Sequence, residues 1–185
     1  MSPAYSLERA PDNDGVLRMR PKKRSVVVSL IAALLASACA TSADRATPVE
    51  EQVLFVCEHG NVKSLMAASY FNRLAAQRRL PYHAVSRGTA PDSTTVPPAI
   101  IAGLKGEGID VADFHPVAVA LADVSASRRV ILINTTLPKD TQPAGLALEQ
   151  WSDVPAASVD FIAASAALKK HVEVLIDDLN KSKLN

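Results

Sequence analysis

The chain has 185 residues, 48% of them hydrophobic, and a formal net charge of +1. This length and composition suit one globular domain with additional sequence. The near-zero charge, without a basic stripe carrying interleaved aromatic residues, argues against nucleic acid as a partner. The His, Cys and carboxylate residues show no metal-ligand spacing, so we expect neither a metal nor another cofactor.

The amino-terminal part of the chain predicts export. A basic cluster at residues 19–24 precedes an apolar run and a small-residue stretch, which is typical of a signal peptide. The apolar run is shorter than the ~20 residues that a membrane span needs. We therefore expect a disordered extra segment at 1–18, a signal peptide at 19–40, a linker at 41–51 and a folded domain at 52–185.

Two kinds of processing remain open for this signal. Cleavage can follow Ala38 or Ala40, or Cys39 can carry a lipid, because the sequence before it is similar to a bacterial lipobox. The mature protein is then either periplasmic or attached to the membrane through Cys39. Both routes predict an exported protein in which Cys57 is the one cysteine of the folded part, without a disulfide partner in the chain.

The first predicted elements of the domain are a strand, a polar loop and a helix. Residues 53–56 form an uninterrupted apolar run, as in a strand covered on both faces. Apolar residues then recur at helical spacing from Met66 to Leu74. The loop between them begins at Cys57 and ends at Lys63 and Ser64, at the carboxyl end of a strand and the amino end of a helix.

Further strands and helices alternate along the rest of the chain. We expect strands at 82–86, 129–134 and 148–151, and helices starting at 97–98, at 117–122 and over 159–179. This alternation predicts an α/β fold, a doubly wound parallel four-stranded sheet with helices on both faces. Ligands of such sheets bind outside the carboxyl ends of the strands, which places Cys57, Arg87 and residues 134–136 along one rim.

Cys57 is the candidate nucleophile because of its place in this loop. Free N–H groups and the positive end of the helix dipole stabilise a thiolate and a bound oxyanion. Lys63 adds a cation and Ser64 a hydroxyl. We expect the residues between them to surround the oxyanion; they are Glu58, His59, Gly60, Asn61 and Val62.

The spacing from Cys57 to Lys63-Ser64 resembles the C-x5-R-[S/T] loop of the low-molecular-weight protein tyrosine phosphatases and related arsenate reductases. Lys63 stands where those families have arginine, and His59 displaces the Gly-Asn pair by one position. Two further segments extend the resemblance, Ser86-Arg87-Gly88-Thr89 and Gly108-Ile109-Asp110. The match covers nearly all of residues 52–180.

The resemblance implies a slow phosphomonoesterase that works through a phosphocysteine on Cys57. It implies that Ser64 bonds the sulfur and that Asp153 is the general acid. Arg87 is either an exposed loop arginine or, if it leans over the loop, a residue that restores the guanidinium contact that Lys63 lacks. A phosphorylated small molecule or a phosphotyrosine peptide is then the substrate, and phosphate and arsenate are ligands. The alternatives are an arsenate reductase that uses an external thiol, and a non-catalytic oxyanion-binding or interaction module.

Overall fold

The computed structural model describes residues 50–146 and 148–182. The predicted segment 1–18, the predicted signal peptide with Cys39, and residues 41–49 of the predicted linker lie outside them. The elements run in the order β1 Glu51–Cys57, α1 Lys63–Gln77, β2 Tyr82–Gly88, α2 Pro98–Gly106, α3 Leu121–Ser125, β3 Ser127–Ile133, a short 3-10 helix Lys139–Thr141, β4 Leu148–Trp151 and α4 Phe161–Lys181.

The four strands form one parallel sheet in the order β2-β1-β3-β4. β1 lies in the interior, between β2 and β3, and its side chains alternate between two apolar clusters. Phe55 and Cys57 belong to the cluster that contains α1, α2 and α4, and Val56 belongs to a smaller cluster with Val124 of α3. Both faces of the sheet are therefore covered, and the predicted α/β fold is confirmed.

The helix predicted at 117–122 is wrong in its first half. The chain there is extended: Gly88 N–H donates to the Val117 carbonyl at 2.9 Å, and Val119 N–H donates to the Gly88 carbonyl at 2.8 Å. Helix α3 begins only at Leu121. Pairing with the end of β2 uses the backbone groups that a helix would need, so a long-range bond overrides the local pattern.

Candidate functional site

The Cys57 thiol lies where the sequence places it, at the carboxyl end of β1 and beside the first turn of α1. Its side chain is 5% exposed. Cys57 Sγ lies 2.9 Å from Ser64 Oγ, and the Gly60 N–H donates to the sulfur at 3.3 Å. A thiolate at Cys57 would accept from both the Ser64 hydroxyl and the Gly60 N–H, and hydrogen bonds to a charged group are stronger than those to a neutral one.

A buried hydroxyl behind this pair holds Ser64 in place. Ser86 Oγ lies 2.8 Å from Ser64 Oγ and 2.9 Å from the Gly60 carbonyl. Ser64 and Ser86 are both almost fully buried. Ser86 has one proton, which it can give either to Ser64 or to the Gly60 carbonyl; when it gives it to Ser64, the Ser64 proton is free for the Cys57 sulfur.

Two glycines allow the loop to lie against the end of β2. Gly60 has φ +77°, in the left-handed region that favours glycine. A Cβ at Gly60 would lie 2.6 Å from the Gly88 nitrogen, and a Cβ at Gly88 would lie 2.7 Å from the His59 carbonyl carbon. This backbone contact explains physically why the Ser86-Arg87-Gly88-Thr89 segment accompanies the Cys57 loop.

The amino end of α1 has backbone N–H groups to offer a ligand. Its N-cap is Val62, which makes no side-chain cap bond, and the first turn contains no acidic residue. The first N–H groups of a helix have no intrahelical acceptor and carry the positive end of the dipole. An oxyanion beside Cys57 would therefore meet several donors without a competing carboxylate of the same turn.

A cavity of about 170 Å³ opens over the sulfur. It brings together most of the residues predicted from the loop with parts of two other segments. Its lining consists of Cys57, Glu58, His59, Val62, Lys63, Ile133, Asn134, Ala156, Ala157 and Ser158. The volume is small, which suits a compact tetrahedral group rather than a whole cofactor.

Lys63 lines this cavity and is held by two oxygens. Its ammonium donates to Asn134 Oδ1 at 2.7 Å and to the Val154 carbonyl at 3.3 Å. An ammonium has three donors, so one N–H is left for a ligand. Lys63 is thus a fixed point charge at the wall of the cavity, in contrast to the two-oxygen fork of an arginine.

Asn134 is the functional residue for which sequence analysis gave no role. It follows β3 with φ +50°. Its backbone N–H donates to the Trp151 carbonyl at 3.0 Å, and its side-chain Nδ2 donates to the Ser152 carbonyl at 2.8 Å. It therefore joins the ends of β3 and β4 to the Lys63 ammonium. The sequence feature that could have indicated this role is a polar residue directly after a buried strand, at the rim where ligands bind.

Asp153 does not line the Cys57 cavity. His171 Nε2 donates to Asp153 Oδ1 at 2.7 Å, and the imidazole of His171 stacks on Trp151 with ring centroids 4.6 Å apart. The hydrogen bond from His171 holds the pKa of Asp153 below its usual range. In this conformation the carboxyl group contacts His171 and is not part of the cavity lining, so the general-acid role that the resemblance implies for Asp153 stays a prediction.

Arg87 is also turned away from the cavity. Its guanidinium pairs with Asp123, with Nε–Oδ1 at 3.0 Å and NH2–Oδ1 at 2.8 Å, and its NH1 donates to the Ser86 carbonyl. In this conformation it does not supply the contact predicted for it. The pair instead ties β2 to α3.

The remaining loop residues divide between the cavity and its support. Asn61 is buried and its amide donates to the Thr95 carbonyl at 2.9 Å, so its side chain holds the loop rather than a ligand. Glu58 is exposed at the cavity edge. His59 Nδ1 lies 3.2 Å from Asp92 Oδ1, and His59 Nε2 lies 3.8 Å from Glu58 Oε2.

Neither a metal-binding cluster nor a membrane-spanning helix occurs among the described residues. They contain no group of three or more His, Cys, Asp or Glu residues that could hold a metal ion. They also contain no helix whose length and apolar character would let it cross a membrane.

No protein-family model and no curated protein matches the chain. Solved structures do match its fold. YfkJ from Bacillus subtilis has a TM-score of 0.64 at 21% identity and covers 72% of this chain and 96% of its own. A low-molecular-weight phosphotyrosine phosphatase from Vibrio cholerae O395 has a TM-score of 0.60 at 20% identity, with coverage of 71% and 98%.

A thioredoxin-dependent arsenate reductase from Corynebacterium glutamicum also has a TM-score of 0.60, at 21% identity. The match covers 74% of this chain but only 65% of the reductase, so this chain spans less than two thirds of that protein. These structures establish that the chain has the fold shared by low-molecular-weight phosphatases and arsenate reductases. The resemblance read from the sequence is confirmed at that level.

Proposed function

We propose that the Cys57 cavity binds phosphate-sized oxyanions and that Cys57 hydrolyses phosphate monoesters slowly. The observation that carries this proposal is the sulfur itself: it receives the Gly60 N–H, contacts Ser64 Oγ, and lies under a 170 Å³ cavity at the start of a 15-residue helix. This environment of N–H and hydroxyl groups at a helix start suits both a thiolate and the oxygens of a phosphoryl group.

The reaction proceeds in two displacements on phosphorus. The Cys57 thiolate forms the S–P bond while the ester P–O bond breaks and the alcohol leaves with a proton. Water then attacks the phosphocysteine, phosphate departs and the thiolate returns. The free N–H of Lys63 and the N–H groups at the start of α1 hold the phosphoryl oxygens, and Ser64 stabilises the returning sulfur.

Arsenate reduction is the second candidate, because an arsenate reductase is among the solved structures that share the fold. Cys57 is the free cysteine of the described residues, so an external thiol is the reductant in this candidate function. The thiolate would form an S–As bond with loss of water. An external thiol would attack the Cys57 sulfur, the S–As electron pair would leave with arsenite, and a second thiol would release Cys57.

One set of assays separates these functions. Hydrolysis of p-nitrophenyl phosphate is measured with the unmodified protein and with Cys57→Ser, and arsenate reduction is followed in parallel with glutathione. Hydrolysis that Cys57→Ser abolishes supports the phosphatase. Arsenite formation without hydrolysis supports the reductase, and neither activity together with phosphate protection of Cys57 from iodoacetamide supports the non-catalytic binding module.

We also propose that the protein is exported, on the basis of the signal at residues 19–40. Intact mass of the protein made in a bacterial host should show loss of everything before Cys39 or Thr41, with added lipid mass if Cys39 is modified. Full-length protein recovered from the cytosol would contradict export.

A further inference from the structure

The proposed hydrolysis lacks a proton donor if Asp153 is not available. An alkoxide is a poor leaving group, so departure of an alcohol from phosphorus needs a general acid. Asp153 accepts a bond from His171 and lies outside the lining of the Cys57 cavity. Besides the nucleophile, three titratable side chains belong to that lining: Glu58, His59 and Lys63.

His59 has the arrangement of a general acid. Its Nδ1 is buried and lies 3.2 Å from Asp92 Oδ1, at the separation of an ion pair but without the alignment of a hydrogen bond. The His59 side chain is 43% exposed, and its Nε2 lies 3.8 Å from Glu58 Oε2, so a substrate oxygen would compete with that carboxylate for the Nε2 proton. A carboxylate beside one ring nitrogen orients the ring and stabilises the imidazolium, while the other nitrogen exchanges a proton with the reacting group.

We propose that His59, oriented by Asp92, is the general acid of this site; the proposal rests on the phosphatase function proposed above. As the S–P bond forms and the P–O bond breaks, the His59 Nε2 proton passes to the leaving oxygen. The neutral imidazole then takes a proton from the attacking water in the second step. The charged groups around the ring are Asp92 and Glu58, within ion-pair distance of its two nitrogens, and Lys63, which lines the same cavity.

This role gives a reason for the displaced Gly-Asn pair. Placing a histidine two positions after the nucleophile moves the pair along by one, and Gly60 still closes against Gly88. The acid is then supplied by the loop that holds the nucleophile, where the resembled families use a late loop. On this proposal the two features are connected, because His59 supplies the proton donor that Asp153, bound by His171, does not.

The test compares leaving groups of different quality. His59→Asn and Asp92→Asn are assayed on p-nitrophenyl phosphate, phenyl phosphate and glycerol phosphate, with His83→Asn as the matched control. His83 is paired with Glu50 at the opposite end of the sheet. We expect His59→Asn to lose less than about tenfold on p-nitrophenyl phosphate and about 100-fold or more on the two poorer leaving groups. Asp92→Asn should show the same trend more weakly, and His59→Asn should lose the limb of the pH–rate profile that reports the acid.

Several results would overturn the role of His59. An equal loss on all three esters would indicate a structural or binding effect, which melting temperature and the inhibition constant of phosphate would show directly. A leaving-group-dependent loss in Asp153→Asn instead would return the acid to Asp153. If the unmodified protein hydrolyses esters through Cys57 but His59→Asn matches it, the phosphatase stands and this inference fails. If no ester is hydrolysed through Cys57, both fail.

A separate observation concerns the alcohol part of the substrate. Five aromatic side chains of the described residues are buried in the core: Phe55, Phe71, Tyr70, Tyr82 and Trp151. Phe114 lines a different cavity beside β2, and Phe161 packs on Gly103 of α2. Among the described residues, no Phe, Tyr or Trp ring therefore lines the Cys57 cavity, so none of these larger rings is placed to stack on an aryl phosphate there.

The surface beside the cavity is polar instead. A groove of about 570 Å³ shares Glu58 and Asn134 with the Cys57 cavity and continues past Thr89, Thr135, Gln150 and Ser152. Thr89 Oγ1 and Thr135 Oγ1 lie 3.3 Å apart, which fixes two hydroxyls in the groove. The geometry points to a non-aromatic, hydroxyl-bearing phosphate ester, such as a polyol or sugar phosphate, as the class of ligand.

Non-hydrolysable phosphonates test this class without depending on turnover. Protection of Cys57 from iodoacetamide is measured with a polyhydroxylated alkyl phosphonate and with benzyl phosphonate. We expect the hydroxylated compound to protect at least about tenfold better, and Gln150→Leu with Thr89→Val to remove that preference without changing protection by inorganic phosphate. Tighter binding of benzyl phosphonate, or a preference that survives both substitutions, would overturn the assignment. Protection by these ligands without hydrolysis would refute only the phosphatase.

Discussion

Asn134 offers the sharpest test of how the site is built, because one side chain joins two strand ends to the cation of the Cys57 loop. Asn134→Ala removes the acceptor of Lys63 and the donor to the Ser152 carbonyl, and it leaves an alanine at φ +50°. Asn134→Gly removes the same two bonds but tolerates the left-handed backbone. The pair of variants therefore separates backbone strain from the loss of the bonds.

The expected loss of stability follows from three contributions. Left-handed alanine costs roughly 1 kcal/mol, the bond to Ser152 is worth about 1 kcal/mol, and the exposed bond to Lys63 about 0.5 kcal/mol. Asn134→Ala should lower the free energy of unfolding by about 2.5 kcal/mol in total. For a domain of this size the melting temperature should fall by about 9 °C, and by about 5 °C for Asn134→Gly.

The functional consequence is carried by Lys63. Without its bond to Asn134, the Lys63 side chain regains rotamer entropy worth about 1 kcal/mol. A ligand that orders the side chain again loses this free energy, so its affinity falls about fivefold. Phosphate protection of Cys57 from iodoacetamide should therefore weaken about fivefold in Asn134→Gly. In a Lys63→Met background, Asn134→Gly should have no further effect on phosphate.

A double-mutant cycle over Asn134 and Lys63 tests whether Asn134 affects phosphate binding through Lys63. If Asn134→Gly weakens phosphate protection as much with Lys63→Met as without it, Asn134 does not act through Lys63. If Asn134→Ala and Asn134→Gly have the same melting temperature, the strain assigned to φ +50° is wrong. Both measurements use the folded protein and need no substrate.

Three further predictions concern other parts of the domain. Lys63→Arg should raise aryl-phosphate turnover about tenfold, since a bidentate contact strengthens in the transition state; unchanged turnover with intact phosphate protection would contradict a role for Lys63 in that state. Gly60→Ala should cost more than about 2 kcal/mol of stability and abolish phosphate protection, because its Cβ would meet the Gly88 backbone at 2.6 Å; a normal urea midpoint would contradict this. Burial of Tyr70 raises the pKa of its phenol to about 12, so the folded state binds this proton more tightly than the unfolded chain. Stability should therefore be complete below pH 10 and fall by up to about 2.7 kcal/mol between pH 10 and 12, a fall that Tyr70→Phe removes in urea titrations.

The backbone around Cys57 could be predicted because its determinants are local. An apolar run, a short polar loop and a helical repeat follow one another directly, and a parallel strand must end where its helix begins. Cys57 and Ser64 therefore come together over seven positions, with little freedom for another arrangement. The same alternation predicted the doubly wound parallel sheet, whereas its strand order, β2-β1-β3-β4, came only from the tertiary structure.

The partners of the long polar side chains were decided by tertiary structure. Lys63 and Asn134 are 71 residues apart, Arg87 and Asp123 are 36 apart, and Asp153 meets His171 from the next helix. A flexible charged side chain turns towards whichever acceptor the packed fold brings within reach, and sequence patterns report the backbone that carries it but not that acceptor. Sequence analysis therefore identified the loop and its nucleophile, whereas only the folded chain decided that Lys63 is held by Asn134, that Arg87 faces Asp123, and that Asp153 is bound by His171.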